Sequence, residues 1–220
     1  MEKRLGIVFA GGEGPTPESL GLLFAGLPPG AVTVAADSGL LIAEAAGIRP
    51  DWIVGDMDSL DDQTRLLNYP AQSVIRHPVD KDYTDTELAL DLLWEKGCGD
   101  VWIIGGGGGR IAHLFAVRDI FERKRCPCRW ITAGEDIRCI NAPDGFAAAL
   151  EPGEAVSVFP LGEGPWKAES RGLKWPLNDV KWERGLYGFG NLATGVEAGH
   201  EIRAVRGRFM IILERLCLQL

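Results

Sequence analysis

The sequence predicts an α/β protein in which a largely parallel sheet, crossed by helices, is followed by a smaller all-β domain. Two observations carry this. Over the first 133 residues short apolar runs alternate with longer segments of helical spacing. After about Thr132 glycines and prolines, among them Gly134, Pro143, Gly145, Pro152 and Gly153, cut the chain into short pieces with no long helical pattern. The expected division is 1–133 and 134–220, and a chain of 220 residues is long enough for two cores.

Taken in order, Leu5 to Phe9, Val32 to Ala36, Trp52 to Val54, Ser73 to Ile75, Val101 to Ile104 and Trp130 to Thr132 read as strands. Leu40 to Ala46, Leu88 to Trp94 and Ile111 to Phe121 have the length and apolar spacing of helices. Thr16-Pro17-Glu18 puts a cap before a proline at the first helical position, and Thr84 to Glu87 has the spacing of a capping box. Gly47 and Gly97 read as C-terminal stops. This rhythm builds βαβ units, hence a Rossmann-like sheet. In the second part Val156 to Leu161, Glu201 to Val205 and Phe209 to Leu213 read as strands, the last two joined by a tight turn at Arg206 and Gly207. A small β-sandwich is expected there.

Hydrophobic residues make up 46% of the chain and charged ones 25%, enough apolar content to exclude a disordered chain. Acids outnumber bases 31 to 23, which argues against a general nucleic-acid partner. The first apolar run is interrupted by Gly11 and Gly12 and reads as a strand rather than a signal peptide. No run approaches the roughly 20 residues that span a bilayer, so a cytoplasmic protein with no membrane partner is expected. Cys98, Cys126, Cys128, Cys139 and Cys217 lack the paired spacing of a zinc site and read as reduced, mostly structural thiols.

In an open parallel sheet, ligands bind beyond the carboxyl ends of the strands, and four such ends are chemically loaded. Val32 to Ala36 runs into Asp37-Ser38-Gly39, and Trp52 to Val54 into Gly55-Asp56-Met57-Asp58-Ser59. Two carboxylates about 4 Å apart repel by roughly 4 kcal/mol at an effective dielectric near 20, so converging them makes sense around a cation. Oxygen-only ligands suit magnesium. The competing reading is an exposed turn in which Asp58 caps the following helix. Third, Asp80, Lys81, Asp82 and Asp85 lie just ahead of a helix, more acids than capping requires, in a mixture suited to a metal-phosphate complex. Fourth, five glycines, 105–109, end a strand and lead to Arg110 at the start of a helix. That arrangement lets backbone amides and a guanidinium approach phosphate, although no Walker lysine follows.

In this order, Ala36-Asp37-Ser38-Gly39, Pro50-Asp51, Gly55 to Ser59, Asp80 to Asp85 and Gly108-Gly109-Arg110 resemble the thiamine pyrophosphokinase family, as does Gly172 to Leu177 downstream. The resemblance spans roughly residues 32 to 177. It implies a catalytic α/β domain that binds ATP and Mg2+, and a β-sandwich that takes part in thiamine binding and pairs two subunits into a homodimer. The implied reaction moves the β,γ-diphosphoryl group of ATP, the co-substrate, to the hydroxyl of thiamine and releases AMP. Residue by residue it implies Asp56, Asp58 and Asp82 as magnesium ligands, with Asp37, Asp85 and Arg110 completing the catalytic site. Ser38, Ser59, Lys81, Thr84, Gly108, Gly109 and Asn191 would contact the nucleotide or thiamine.

Two positions depart from the family pattern. Ala112 stands where an aspartate usually precedes the histidine, and Gly190 stands where a serine usually precedes Asn191. Both touch the acceptor side. Two other readings therefore share these residues: diphosphoryl transfer to another acceptor such as a hydroxymethylpterin, and a nucleotide- or thiamine-binding protein without turnover. The acids from Asp37 to Asp85 weigh against the last, since converging carboxylates are costly without a metal. If the missing contact can be restored, Ala112→Asp retains or raises the rate of diphosphoryl transfer in a steady-state assay. Outright inactivation would mean that this side of the pocket has been rebuilt.

Overall fold

The computed structural model describes residues 3–195 and 199–214, so Cys217 lies outside the described residues. The chain forms two compact units. Among the described residues one gathers those through Ile120 together with Trp130–Ala133; the other takes Phe121–Arg129 and those from Gly134 to Glu214.

In the first unit β1 (Leu5–Ala10), α1 (Pro17–Ala25), β2 (Val32–Ala36), α2 (Gly39–Ala45), β3 (Trp52–Gly55), β4 (Val74–Arg76), α3 (Asp85–Glu95), β5 (Asp100–Gly105), α4 (Ile111–Ile120) and β6 (Arg129–Ile131) follow one another. The strand order is β6-β5-β1-β2-β3-β4, with β1 to β5 parallel wherever they pair. Every residue of β1 and β2 is buried, as expected for strands covered on both faces, and their sequences are apolar apart from Thr33 of β2.

The helix ends follow local chemistry. Thr16 accepts a hydrogen bond from the Ser19 amide at 3.2 Å, and Thr84 and Glu87 form a reciprocal capping box. Gly47 (φ 69°) and Gly97 (φ 82°) turn the chain out of α2 and α3 in the left-handed conformation. At the start of α2 the helix lies so close to β1 that a Cβ on Gly39 would stand 2.0 Å from the Phe9 carbonyl oxygen. That contact fixes the residues just before it, Asp37 and Ser38, over the sheet edge.

The second unit contains β7 (Asp136–Asn141), β8 (Gly145–Ala148), β9 (Ala155–Leu161), β10 (Lys167–Arg171), β11 (Gly188–Leu192), β12 (His200–Arg206) and β13 (Arg208–Leu213). Antiparallel pairing runs β11-β9-β13-β7 in one sheet and β10-β12-β8 in another. Val156, Val158, Ile202, Ala204, Phe209 and Ile211 fill the core of this unit, where Trp182 meets Phe209 edge to face with ring centroids 5.0 Å apart. The turn at Arg206 and Gly207 differs from the expected hairpin. It passes the chain from one sheet to the other, because β12 pairs with β10 and β8 while β13 pairs with β7 and β9. Turn chemistry announces the reversal; long-range pairing decides each strand's neighbours.

β7 is a strand that local pattern does not announce, since it carries Asp136 and Arg138. Asp136 is wholly buried and accepts two forked pairs, from Arg129 at 2.9 and 2.7 Å and from Arg138 at 2.9 and 3.0 Å. Both oxygens are therefore fully engaged. Asp136→Ala would leave the Arg129 side chain, only 1% exposed, without this counter-charge, and should cost about 3–5 kcal/mol of stability in urea unfolding. A loss under about 1 kcal/mol would mean that the pair only breaks even with its own desolvation.

Candidate functional site

A cleft of about 430 Å³ opens in the first unit, lined by Gly11, Gly12, Asp37, Ser38, Asp58, Ser59, Lys81, Tyr83, Thr84, Asp85, the glycines 107–109, Arg110 and His113 among others. It collects the ends of β1, β2 and β5, the loop after β3, the segment before α3 and the start of α4, where a parallel sheet offers a site.

The acidic wall is set by two residues in an uncommon backbone conformation. Asp37 (φ 47°) and Met57 (φ 65°) both adopt left-handed geometry without being glycine. Such residues persist only where the surroundings hold them, and they gather at functional sites. Met57 is fully buried among Leu40, Ile53, Leu60 and Leu66 and acts as an apolar anchor in the middle of the acidic loop. Around it Asp56 and Asp58 close on each other, and the Asp58 amide donates to Asp56 Oδ1 at 3.1 Å. One ligand oxygen from each of Asp37, Asp56 and Asp58 lies within 4.8 Å of the others. The next helical turn, Gln63–Asn68, is capped by Asp62, which leaves Asp58 facing the cleft rather than ending a helix.

Charge in this wall is balanced from within. Lys81 Nζ donates to Asp56 Oδ2 at 2.8 Å and to the Pro78 carbonyl at 3.0 Å, and stands 3.2 Å from Asp85 Oδ1 in an ion pair that lacks hydrogen-bond alignment. The lysine's hydrogen bond pulls the Asp56 carboxyl below its usual range, and the same contact raises Lys81. Asp58, beside the Asp56 carboxylate, is raised instead, and burial raises Asp85. Asp37 accepts from the Ser59 hydroxyl through Oδ2, while its Oδ1 is buried with no hydrogen-bond partner, as is Nε2 of His113. Buried polar atoms left unmatched cost about 1–3 kcal/mol each, so two in one region mark a place shaped for something else to supply the partners.

Backbone forms the floor. Gly105, Gly106, Gly108 and Gly109 all have positive φ, from 63° to 92°, a path closed to ordinary side chains. Glu13 and Gly107 exchange backbone hydrogen bonds at 2.7 and 3.0 Å, and the Trp130 indole donates to the Gly105 carbonyl at 2.7 Å. A loop that its composition alone would leave loose is thereby pinned. Arg110 then opens α4, exposed at the mouth of the cleft.

Of the residues singled out from sequence, Asp37, Ser38, Asp58, Ser59, Lys81, Thr84, Asp85, Gly108, Gly109 and Arg110 line this cleft. Asp56 stands behind them, tied to Lys81. Asp82 is exposed and stands apart: among the described residues it belongs neither to the acidic trio nor to the cleft lining. Asn191 sits buried in the second unit, where its side chain accepts from the Trp175 amide at 3.1 Å and donates to the Trp175 carbonyl at 2.6 Å. Gly11, Gly12 and His113 line the cleft although the sequence reading gave them no site role. The glycine pair directly after an all-apolar first strand was the available signal for two of them; nothing local distinguishes the histidine.

A parallel α/β unit with a glycine floor, an oxygen-ligand trio and two basic side chains at the carboxyl edge of its sheet has the donor chemistry to take phosphates and a divalent cation. Residues 29–126 match the family described as thiamin pyrophosphokinase, catalytic domain. The chain is 27% identical over 150 residues to the thiamine pyrophosphokinase of Bacillus subtilis (strain 168), covering 66% of this chain and 70% of that one. Among solved structures, the Bacillus subtilis thiamine pyrophosphokinase superposes with a TM-score of 0.75 at 24% identity, over 97% of this chain and 100% of the other. The Geobacillus thermodenitrificans thiamin pyrophosphokinase gives 0.70 at 25% identity over 97% and 98%. The Candida albicans enzyme of the same name gives 0.69 at 14%, over 97% and 90%, a likeness of fold.

The two loop aspartates differ in their surroundings. Asp56→Asn, which leaves Lys81 without its hydrogen-bonded carboxylate, should cost the metal-free protein about 2 kcal/mol in urea unfolding. Asp58→Asn removes a repelling charge and should leave metal-free stability unchanged or higher. If the trio binds magnesium, the ion should raise the thermal midpoint of the parent protein, and both variants should lose that rise. A magnesium response that survives in both would show that the trio is not the binding site.

Proposed function

We propose that this chain transfers the β,γ-diphosphoryl group of ATP to the hydroxyl of thiamine, producing thiamine diphosphate and AMP. The observation that carries the proposal is the convergence of Asp37, Asp56 and Asp58 from two strand ends onto one point of a cleft with a glycine floor, inside the segment that matches the family's catalytic domain.

Magnesium fits that trio by donor chemistry and by the buried unpartnered oxygen of Asp37, and when bound it would neutralise charge on the transferring phosphates. Asp37, Asp56 and Asp58 would hold it; Asp82, assigned to the metal by resemblance, stands outside that set. The protein's own groups supply the rest. Lys81 and Arg110, from two separate loops, bring positive charge to the phosphates, and the glycines 107–109 allow backbone to approach them. Ser38, Ser59 and Thr84 offer hydroxyls along the same wall. Asp85, raised by burial and lining the cleft, is suited to take the proton from the attacking hydroxyl. Alignment and charge neutralisation account for most of the rate in such transfers.

We extend the proposal to the second unit, read as a β-sandwich from its two antiparallel sheets and as the part that contributes to thiamine binding and to a homodimer. The exposed Trp175, Tyr187 and Phe189 give it apolar surface to bury. Among the described residues no helix is long and apolar enough to cross a membrane, and we take the cytoplasm as the place of action.

Incubation of the purified protein with magnesium, ATP and thiamine, followed by chromatography of nucleotides and thiamine esters, should give AMP and thiamine diphosphate in equal amounts. ADP with thiamine monophosphate would contradict the proposed chemistry, and AMP formed only with a pterin alcohol would move the acceptor.

A further inference from the structure

In the second unit, away from any group used above, two cysteines meet beside one arginine. Cys126 lies in the irregular Phe121–Arg129 stretch and is half-buried; Cys139 is buried in the middle of β7. Their sulfurs are 3.9 Å apart. The Cys139 amide donates to the Cys128 carbonyl at 2.9 Å, which holds the two stretches side by side. Arg208, at the start of β13, points Nη1 at Cys126 Sγ at 3.4 Å and fixes it by a second bond to the Arg123 carbonyl at 2.7 Å.

The two thiols are unequal. A hydrogen bond from Cys139, reinforced by the Arg208 guanidinium, holds the Cys126 thiol down to about 7, while Cys139 is raised by its contact with Cys126 and by burial. Cys126 is therefore the sulfur that ionises near neutrality, and Cys139 keeps its proton. Cys98, buried in the first unit, is raised by that burial.

We propose that Cys126 and Cys139 form a reversible oxidation site: a small hydroperoxide converts Cys126 to a sulfenic acid, and Cys139 resolves it to a Cys126–Cys139 disulfide. In the first step the Cys126 thiolate attacks one peroxide oxygen, an S–O bond forms, the O–O bond breaks, and the departing hydroxide takes a proton to become water. In the second step the Cys139 sulfur attacks Cys126, the S–S bond forms, the S–O bond breaks, and the Cys139 proton leaves with the hydroxide as a second water. Two thiols lose two electrons and two protons, and the peroxide takes up both. Exposed enough to meet a small oxidant and already hydrogen-bonded to its resolving partner, Cys126 has the arrangement expected of an oxidisable pair rather than of an inert packing thiol. The assignment is independent of the diphosphoryl-transfer reading.

Lowering a thiol from 9.0 to about 7 raises its thiolate fraction at pH 7 roughly fiftyfold, but the accompanying loss of nucleophilicity returns about tenfold of that, which leaves a net gain of roughly fivefold. The test uses the full-length reduced chain. Timed labelling with iodoacetamide at pH 7 should alkylate Cys126 roughly fivefold faster than in the same chain unfolded in denaturant, and Arg208→Gln should remove part of that advantage. Treatment with hydrogen peroxide, blocking with N-ethylmaleimide and peptide mapping should yield one linked Cys126–Cys139 peptide that disappears on dithiothreitol treatment. Cys126 labelling no faster than in the unfolded chain, or a disulfide that joins Cys128 or Cys217 in place of this pair, would overturn the proposal. Both of these readouts come from the unaltered protein and hold whether or not the Arg208 variant folds.

Discussion

Three carboxylates held within 4.8 Å of one another are the constraint from which the first unit's cleft follows. Like charges at such distances repel by several kcal/mol, and folding tolerates them only with positive charge close by. Lys81 supplies one such charge by binding Asp56 and standing beside Asp85. It does not serve the whole set, because Oδ1 of Asp37 is buried without a hydrogen-bond donor.

Keeping such a wall in place requires stiffness behind it. Met57 anchors the acidic loop in the apolar core, Gly39 brings α2 against β1 so tightly that no side chain fits between, and Glu13 locks the glycine segment by backbone pairing with Gly107. Each device lies one or two residues from a site group. Strain is concentrated there as well: the two non-glycine residues with left-handed backbone, among the described residues, are Asp37 and Met57.

The second unit solves a different problem with the same means. Asp136 is buried by two forked arginines, and β7 can therefore lie inside a sheet although its sequence alternates poorly. Sequence reasoning missed β7 for this reason, and it missed β8, β10 and β11 because Gly145, Lys167, Glu169 and the glycines of β11 weaken any strand pattern. Local rules see a charged or flexible residue as a break; they cannot see the partner that arrives from elsewhere in the chain. Local pattern also does not rank the residues around Asp82: the turn into α3 puts Lys81 and Asp85 in the cleft lining and Asp82 at the surface.

The sequence by itself determined the strand–helix rhythm of the first unit, its helix caps, and the sites where polar groups follow apolar strands. All of these depend on residues within a few positions of each other, where backbone preference and hydrophobic period act directly. Tertiary structure alone decided which acids meet, that Lys81 is shared between Asp56 and Asp85, that His113 turns a buried nitrogen toward the cleft lining, that β12 and β13 part into different sheets, and that Cys126 faces Cys139 and Arg208. The partners in those contacts are drawn from separate loops and strands, and their energies exist only once the sheets have closed and displaced the water that would otherwise screen them.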